Sequence, residues 1–152
     1  MRKILMLFVI LTLLAVPSIV STAQDEEVRM GSWDACETPT DLPETVTLGA
    51  IFGLSGPISV YGIPQQQAVE LAVSEINELA YLGEGVTLEI LFEDSAGDAQ
   101  QAISAMTKLV EEDGVLGVIG PTLSSEAFAA DPVAEENSTP VMGVSNTASG
   151  IT

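Results

Sequence analysis

Ser124 and Ser125 stand where a very apolar run, 116–119, gives way to a helical pattern over 126–137. Hydroxyls at a helix start lie beside free backbone N–H groups and the positive end of the helix dipole. That chemistry suits an anion such as a carboxylate. The same serines also suit plain N-capping with no ligand at all. Three further short segments carry Ser, Thr, Asn or Asp: Leu-Ser-Gly-Pro at 54–57, Asp-Ser-Ala-Gly at 94–97 and Ser-Asn-Thr-Ala-Ser at 145–149. With no Lys or Arg among them, they offer hydroxyls, amides and backbone groups. A small ligand would be held there by neutral hydrogen bonds.

Composition removes most other chemistry. The 152 residues contain no His and one Cys. There is thus no His-based triad, metal site or proton shuttle, and no zinc site or disulfide framework within the chain. Acidic residues number 22 against 4 basic ones, which excludes ordinary nucleic-acid binding. Asp94 follows an apolar run as a phospho-acceptor Asp would. The residues 52–55 supply no second acid, however, and the only Lys past the leader is Lys108, on a helical stretch. Asp94 is expected to order its own loop instead. The glycines over 114–120 do not form G-x-G-x-x-G and do not open a helix. No base stands near Ser124 for a hydrolase. The expectation is a protein that is not an enzyme, with no catalytic residue, no metal and no cofactor.

The elements that position these segments alternate. Apolar runs at 46–52, 86–92, 116–119 and 141–144 read as buried strands. Between them lie helical patterns. The first, 65–80, carries the stripe Ala68, Ala72, Val73, Ile76 and Leu79. The second opens at Asp98, turns Ala99, Ala102, Ile103, Met106, Leu109 and Val110 inward, and ends at Gly114. The third, 126–137, is interrupted by Pro132. This order predicts an α/β fold, a doubly wound parallel sheet covered on both faces. All four polar segments then fall at the carboxyl ends of the strands, where ligands bind in open α/β sheets.

The amino-terminal residues read as an address. Arg2 and Lys3 precede an apolar run over 4–16, closed by Pro17, with Ser21-Thr22-Ala23 as a cleavage site. That is a secretory signal peptide over 1–23, the rival reading being an uncleaved anchor. Removing it leaves Arg29 and Lys108 as the only basic residues against all the acids. Such charge favours solubility and opposes compaction. Residues 24–45 form an acidic linker with Pro39 and Pro43, expected to be disordered. Cys36 lies within it, with a partner in sequence outside this chain or as a free thiol.

The stretch 46–152 resembles the type I periplasmic solute-binding proteins of ABC transporters, in the branched-chain amino-acid binding family. The resemblance is carried by LGAIFGLSGPISVYG (48–62), AVELAVSEIN (68–77), FEDSAGDAQQAISAMTKLV (92–110), GVIGPTLSSEA (117–127) and TPVMGVSNTASGIT (139–152). It implies the partial first lobe of that fold, in the order and spacing of the family. It further implies that Tyr61 lines the cleft and that Ser124, with Ser125 beside it, holds a ligand carboxylate. Ser145, Asn146 and Thr147 would contact the α-carboxylate and α-amino groups, through a Ser145 carbonyl and a Thr147 hydroxyl. Tyr61 covering the first helix, and 145–147 serving only as a turn, are the plainer alternatives. Asn146 stands where many relatives carry a smaller residue, which would narrow or polarise the pocket. Family members have two lobes, and the acid that pairs with a ligand amine comes from the second. The chain is therefore expected to be the amino-terminal part of a longer one. The implied role is an exported monomer that captures a small amino acid or amide and delivers it to an ABC permease. A sensory ectodomain with the same fold is the alternative.

Overall fold

The computed structural model describes residues 41–151. The leader, most of the acidic linker and Cys36 lie outside the described residues. Strand β1 (Thr45–Phe52) begins one residue before the sequence pattern places it. It pairs in parallel with β2 (Thr87–Asp94) along its whole length, from Thr45 opposite Thr87 to Phe52 opposite Asp94. On its other side β1 pairs with β3 (Val118–Ile119), which pairs with β4 (Val141–Met142). The sheet order is β2-β1-β3-β4, parallel throughout. Strands β3 and β4 are shorter than their apolar runs, and Leu116 and Val144 at the ends of those runs are exposed. Backbone bonds from Leu116 N to Thr47 O and from Gly49 N to Gly117 O still carry β3 along β1.

The helices are α1 (Ser59–Glu78), α2 (Ala99–Thr107) and α3 (Ser124–Glu136). A π-helical turn over Lys108–Glu112 continues α2. Right-handed crossovers assign their faces. The connection from β1 to β2 runs one way across the sheet, and those from β2 to β3 and from β3 to β4 run the other. Helices α2 and α3 therefore share a face, opposite α1. Their face holds the core: Ile51 and Val118 from the sheet meet Ala102, Ala105, Met106 and Leu109 from below α2, and Ala130 and Ala134 from α3. Alanines on both helices let them pack closely, and Gly49 leaves the space that the Leu109 side chain fills. Asp98 caps α2 as its sequence suggests, its carboxylate accepting from Gln100 N and Gln101 N.

Two helices depart from the pattern. Helix α1 starts at Ser59 and runs through Pro64, six residues ahead of the expected start. Pro64 removes a single ladder donor, while Gly62 lets the first turn lie directly on the end of β1. The rest of α1 sits shallowly. Of its expected stripe, Val73 and Ile76 are half-buried, whereas Ala68, Ala72 and Leu79 are exposed. Asn77 ties it to β2 by accepting from Leu88 N and donating to Leu88 O. The sheet face beside α1 is only partly covered. Over β3 and β4 an apolar groove of about 250 Å³ is lined by Leu48, Ile119, Pro140 and Met142. Only the β1–β2 crossover places a helix on that face among the described residues. Helix α3 likewise passes through Pro132 rather than breaking there, since Ala127, Ala130 and Ala134 anchor it on either side.

A Cβ at position 62 would stand 2.1 Å from Gly53 O and 2.6 Å from its carbonyl carbon. Backbone cannot yield as a side chain can, so Gly62→Ala should cost about 3 kcal/mol of stability. Denaturant titration against the unsubstituted protein checks this; a loss below about 0.5 kcal/mol would mean α1 does not rest on β1 there.

Candidate functional site

The sheet order reverses direction at β1. The loop after β1 climbs to α1 on one face, and the loop after β3 leads to α3 on the other. A crevice opens between the two, at the carboxyl end of the strands. Hydrogen bonds across this edge tie the loops together. Asp94, at the end of β2, accepts through one carboxylate oxygen from Leu54 N at 2.8 Å, Ser55 N at 3.2 Å and Ala96 N at 2.7 Å. It thus orders the loop after β1 as well as its own. Desolvation pushes its carboxyl up, but the hydrogen bonds from the Ser55 side chain and from the Ala96, Leu54 and Ser55 backbone outweigh it. The net result lies below the usual carboxylate value.

The loop after β3 is buried. Gly120 has a φ of 103°, and a Cβ there would stand 2.2 Å from Ile51 O. The Gly120–Pro121 peptide is cis. Thr122 follows, 1 % exposed. Its hydroxyl accepts from Gly53 N at 3.4 Å and donates to Gln65 Oε1 at 2.8 Å. The other end of that amide, Gln65 Nε2, donates to Ser145 Oγ at 2.8 Å. One side chain of α1 therefore bridges the loops after β3 and β4.

Helix α3 is not capped by a serine. Its N-cap residue is Leu123, and Ser124 is the first helical residue. The cap is supplied from within: Glu126, fully buried, accepts from Leu123 N at 2.7 Å. This frees Ser124. Its Oγ accepts from Thr147 N at 3.0 Å and Ala148 N at 3.2 Å. A hydroxyl oxygen has two acceptor positions, and both are now taken. The remaining O–H can only donate. The N–H groups of Ser124 and Ser125 lie in the first helical turn, where helix geometry provides no acceptor.

The edge therefore ties the 145–148 loop at two points, to Ser124 through Thr147 N and Ala148 N and to Gln65 through Ser145 Oγ. Asn146 turns inward. Its Nδ2 donates to Pro121 O at 3.2 Å, and its Oδ1 is buried, lying where a Cβ on Gly143 would be, 2.1 Å away. A small cavity of about 210 Å³ lies there, lined also by Asp131, whose carboxyl burial pushes up. Tyr61 sits on the first turn of α1 at 61 % exposure, and Ser125 is exposed; neither takes part in these bonds. Sequence reading missed Gln65 and Thr122. Gln65 stands four residues after Tyr61, hence on the same helix face, which is the signal that would have found it. Among the described residues no group of three or more His, Cys, Asp or Glu is placed to hold a metal ion. No helix among them is long and apolar enough to cross a membrane.

An α/β lobe with a neutral, donor-rich strand edge suits a small polar ligand. The family model described as periplasmic binding protein matches residues 45–152, and the chain belongs to that family. It is 40 % identical over 93 residues to the Leu/Ile/Val-binding protein BraC3 of Rhizobium johnstonii, covering 60 % of this chain and 24 % of that one. It is 33 % identical over 95 residues to the Leu/Ile/Val-binding protein of Escherichia coli, covering 62 % and 25 %. Among solved structures it is similar to the branched-chain amino-acid transporter substrate-binding protein LivJ of Streptococcus pneumoniae, in complex with isoleucine. The TM-score there is 0.66 at 32 % identity, with 70 % of this chain and 30 % of that one covered. The chain thus spans about a quarter of the length of the curated relatives it matches.

Asp94 has a testable signature. A carboxyl held below its unfolded value stabilises the fold above that value, about 3.9, and the contribution vanishes as pH falls through the lower folded value. Asp94→Ala should therefore be less stable than the parent at pH 6, with the gap closing on acidification below about pH 4. Melting temperatures of both proteins across that range check it; a gap independent of pH would contradict it.

Proposed function

We propose that the chain is the ligand-cradling first part of an exported, non-catalytic solute-binding protein that serves an ABC permease. Its solute is a free amino acid of the branched-chain class. The observation that carries this reading is the Ser124 hydroxyl, whose oxygen is filled by Thr147 N and Ala148 N. Its proton is left to donate, beside helical N–H groups at the positive end of α3. Two donors of that kind around one point suit a carboxylate. The names of the relatives, Leu/Ile/Val-binding proteins, agree with that chemistry.

In this reading the solute carboxylate sits over the start of α3, against Ser124 and Ser125. The Thr147 hydroxyl and the Ser145 carbonyl face its α-amino end, and Tyr61 covers it from α1. Asn146 acts at one remove, by fixing the loop on Pro121. A second lobe, contributed by further sequence, closes over the solute and supplies the acid that pairs with the amine. Closure is driven by tighter binding to the closed state. Residues 1–23 direct export and are cleaved, and the acidic segment 24–45 tethers the lobe.

Ser124→Ala in the full-length gene product should weaken leucine binding by about 1.5–3 kcal/mol, roughly tenfold to 150-fold. Calorimetric titration checks this. Unchanged affinity would remove Ser124 from the site.

A further inference from the structure

Gln65 occupies a position that the solute-binding reading does not by itself require. It lies on α1, yet its amide ends on side chains of two other segments, Thr122 and Ser145, both at 2.8 Å. The polarity of that bridge is fixed by burial. Gly53 N can only donate, so it occupies one acceptor position on Thr122 Oγ1. Thr122 is 1 % exposed, and its own proton needs a protein acceptor. Gln65 Oε1 is that acceptor. The amide nitrogen must then face Ser145, where it donates to Oγ. Ser145 is exposed at the cleft edge, and because the amide nitrogen offers no acceptor, its proton points away from Gln65 and is free for a ligand.

We propose that Gln65 is a positioning residue that commits the Ser145 hydroxyl to donate its proton into the carboxylate cradle. Ser145 then acts as a second hydroxyl donor next to Ser124, in addition to the backbone carbonyl it presents. The inference rests on the solute-binding reading for its ligand, and on the Gln65 bridge alone for its geometry. An ionised carboxylate in place of the amide accepts only. It would draw the Ser145 proton away from the cleft and set a negative charge behind it. A protonated carboxyl offers an O–H donor on one oxygen and an acceptor on the other, the two functions the bridge uses, and restores it.

The test is the pH profile of leucine binding by the full-length gene product, with folding at each pH checked by circular dichroism. Leucine keeps a mostly ionised carboxylate at pH 4. Gln65→Glu should bind leucine about tenfold more weakly than the parent at pH 7 and recover to within about threefold near pH 4, as the new carboxyl takes up its proton. Gln65→Leu should be weak at both values. A merely structural role for Gln65 predicts no recovery. Equal affinity of the parent and Gln65→Glu at pH 7, or a loss that persists at pH 4, overturns the proposal. Failure of the unsubstituted protein to bind leucine overturns the solute reading instead. Amide hydrogen exchange then judges the bridge alone. Thr147 and Ala148 should exchange faster in Gln65→Leu while Ala50 does not, and unchanged exchange overturns it.

Discussion

Between β1 and β3 the chain reverses its direction of travel across the sheet, and that reversal governs everything at the strand ends. The β1–β2 crossover carries its helix to one face, and the next two crossovers carry theirs to the other. The loops leaving β1 and β3 diverge and leave backbone groups facing a crevice. Those groups must find partners, because loop backbone at the edge of a buried sheet is costly to leave unpaired. Asp94 and Thr122 meet that demand from two other segments, and Gln65 holds the Thr122 hydroxyl in place. The crevice is polar because the topology requires it to be.

Economy of hydrogen bonding then sets what the crevice can recognise. Hydroxyls can accept or donate, and the surrounding N–H groups decide which. Ser124 receives two backbone N–H groups and Ser145 receives an amide. Ser124 is left only its proton to offer, and Ser145 turns its proton away from Gln65, with no positive side chain in either set of bonds. In a chain with 22 acidic and 4 basic residues, that is a way to hold an anion by dipoles alone. Glu126 does not oppose it by taking over the whole helix start. One of its carboxylate oxygens accepts from Leu123 N, and the next two N–H groups of α3 are left to the crevice.

The strands and the inner face of α2 were legible because their signals are local. Apolar runs bounded by Gly and Pro placed β1 and β2 to within two residues, and the Ala102, Met106, Leu109 spacing gave the buried face of α2 and its π-helical continuation. The strand-end location of Ser124 and the 145–149 loop followed from the alternation alone. What failed was punctuation. Pro132 reads as an interruption and the sequence pattern starts α1 only at 65, yet both helices run through a proline that removes one donor while packing holds them in place. The serine cap failed because Glu126 N and Ala127 N already donate to Leu123 O, while the Ser124 hydroxyl accepts from Thr147 N and Ala148 N instead. Gln65 was invisible for a different reason: its partners, Thr122 and Ser145, lie 57 and 80 residues away, and only the fold brings them together.

The account stands on recognition of a carboxylate by oriented neutral donors. The most direct measurement compares leucine with leucinamide, in which a neutral amide replaces the carboxylate, by calorimetric titration of the full-length gene product. The account predicts that leucine binds and that leucinamide binds at least about a hundredfold more weakly, a difference of about 2.7 kcal/mol. Equal binding of the two would contradict it, since a cradle built from committed donors has no reason to accept both alike.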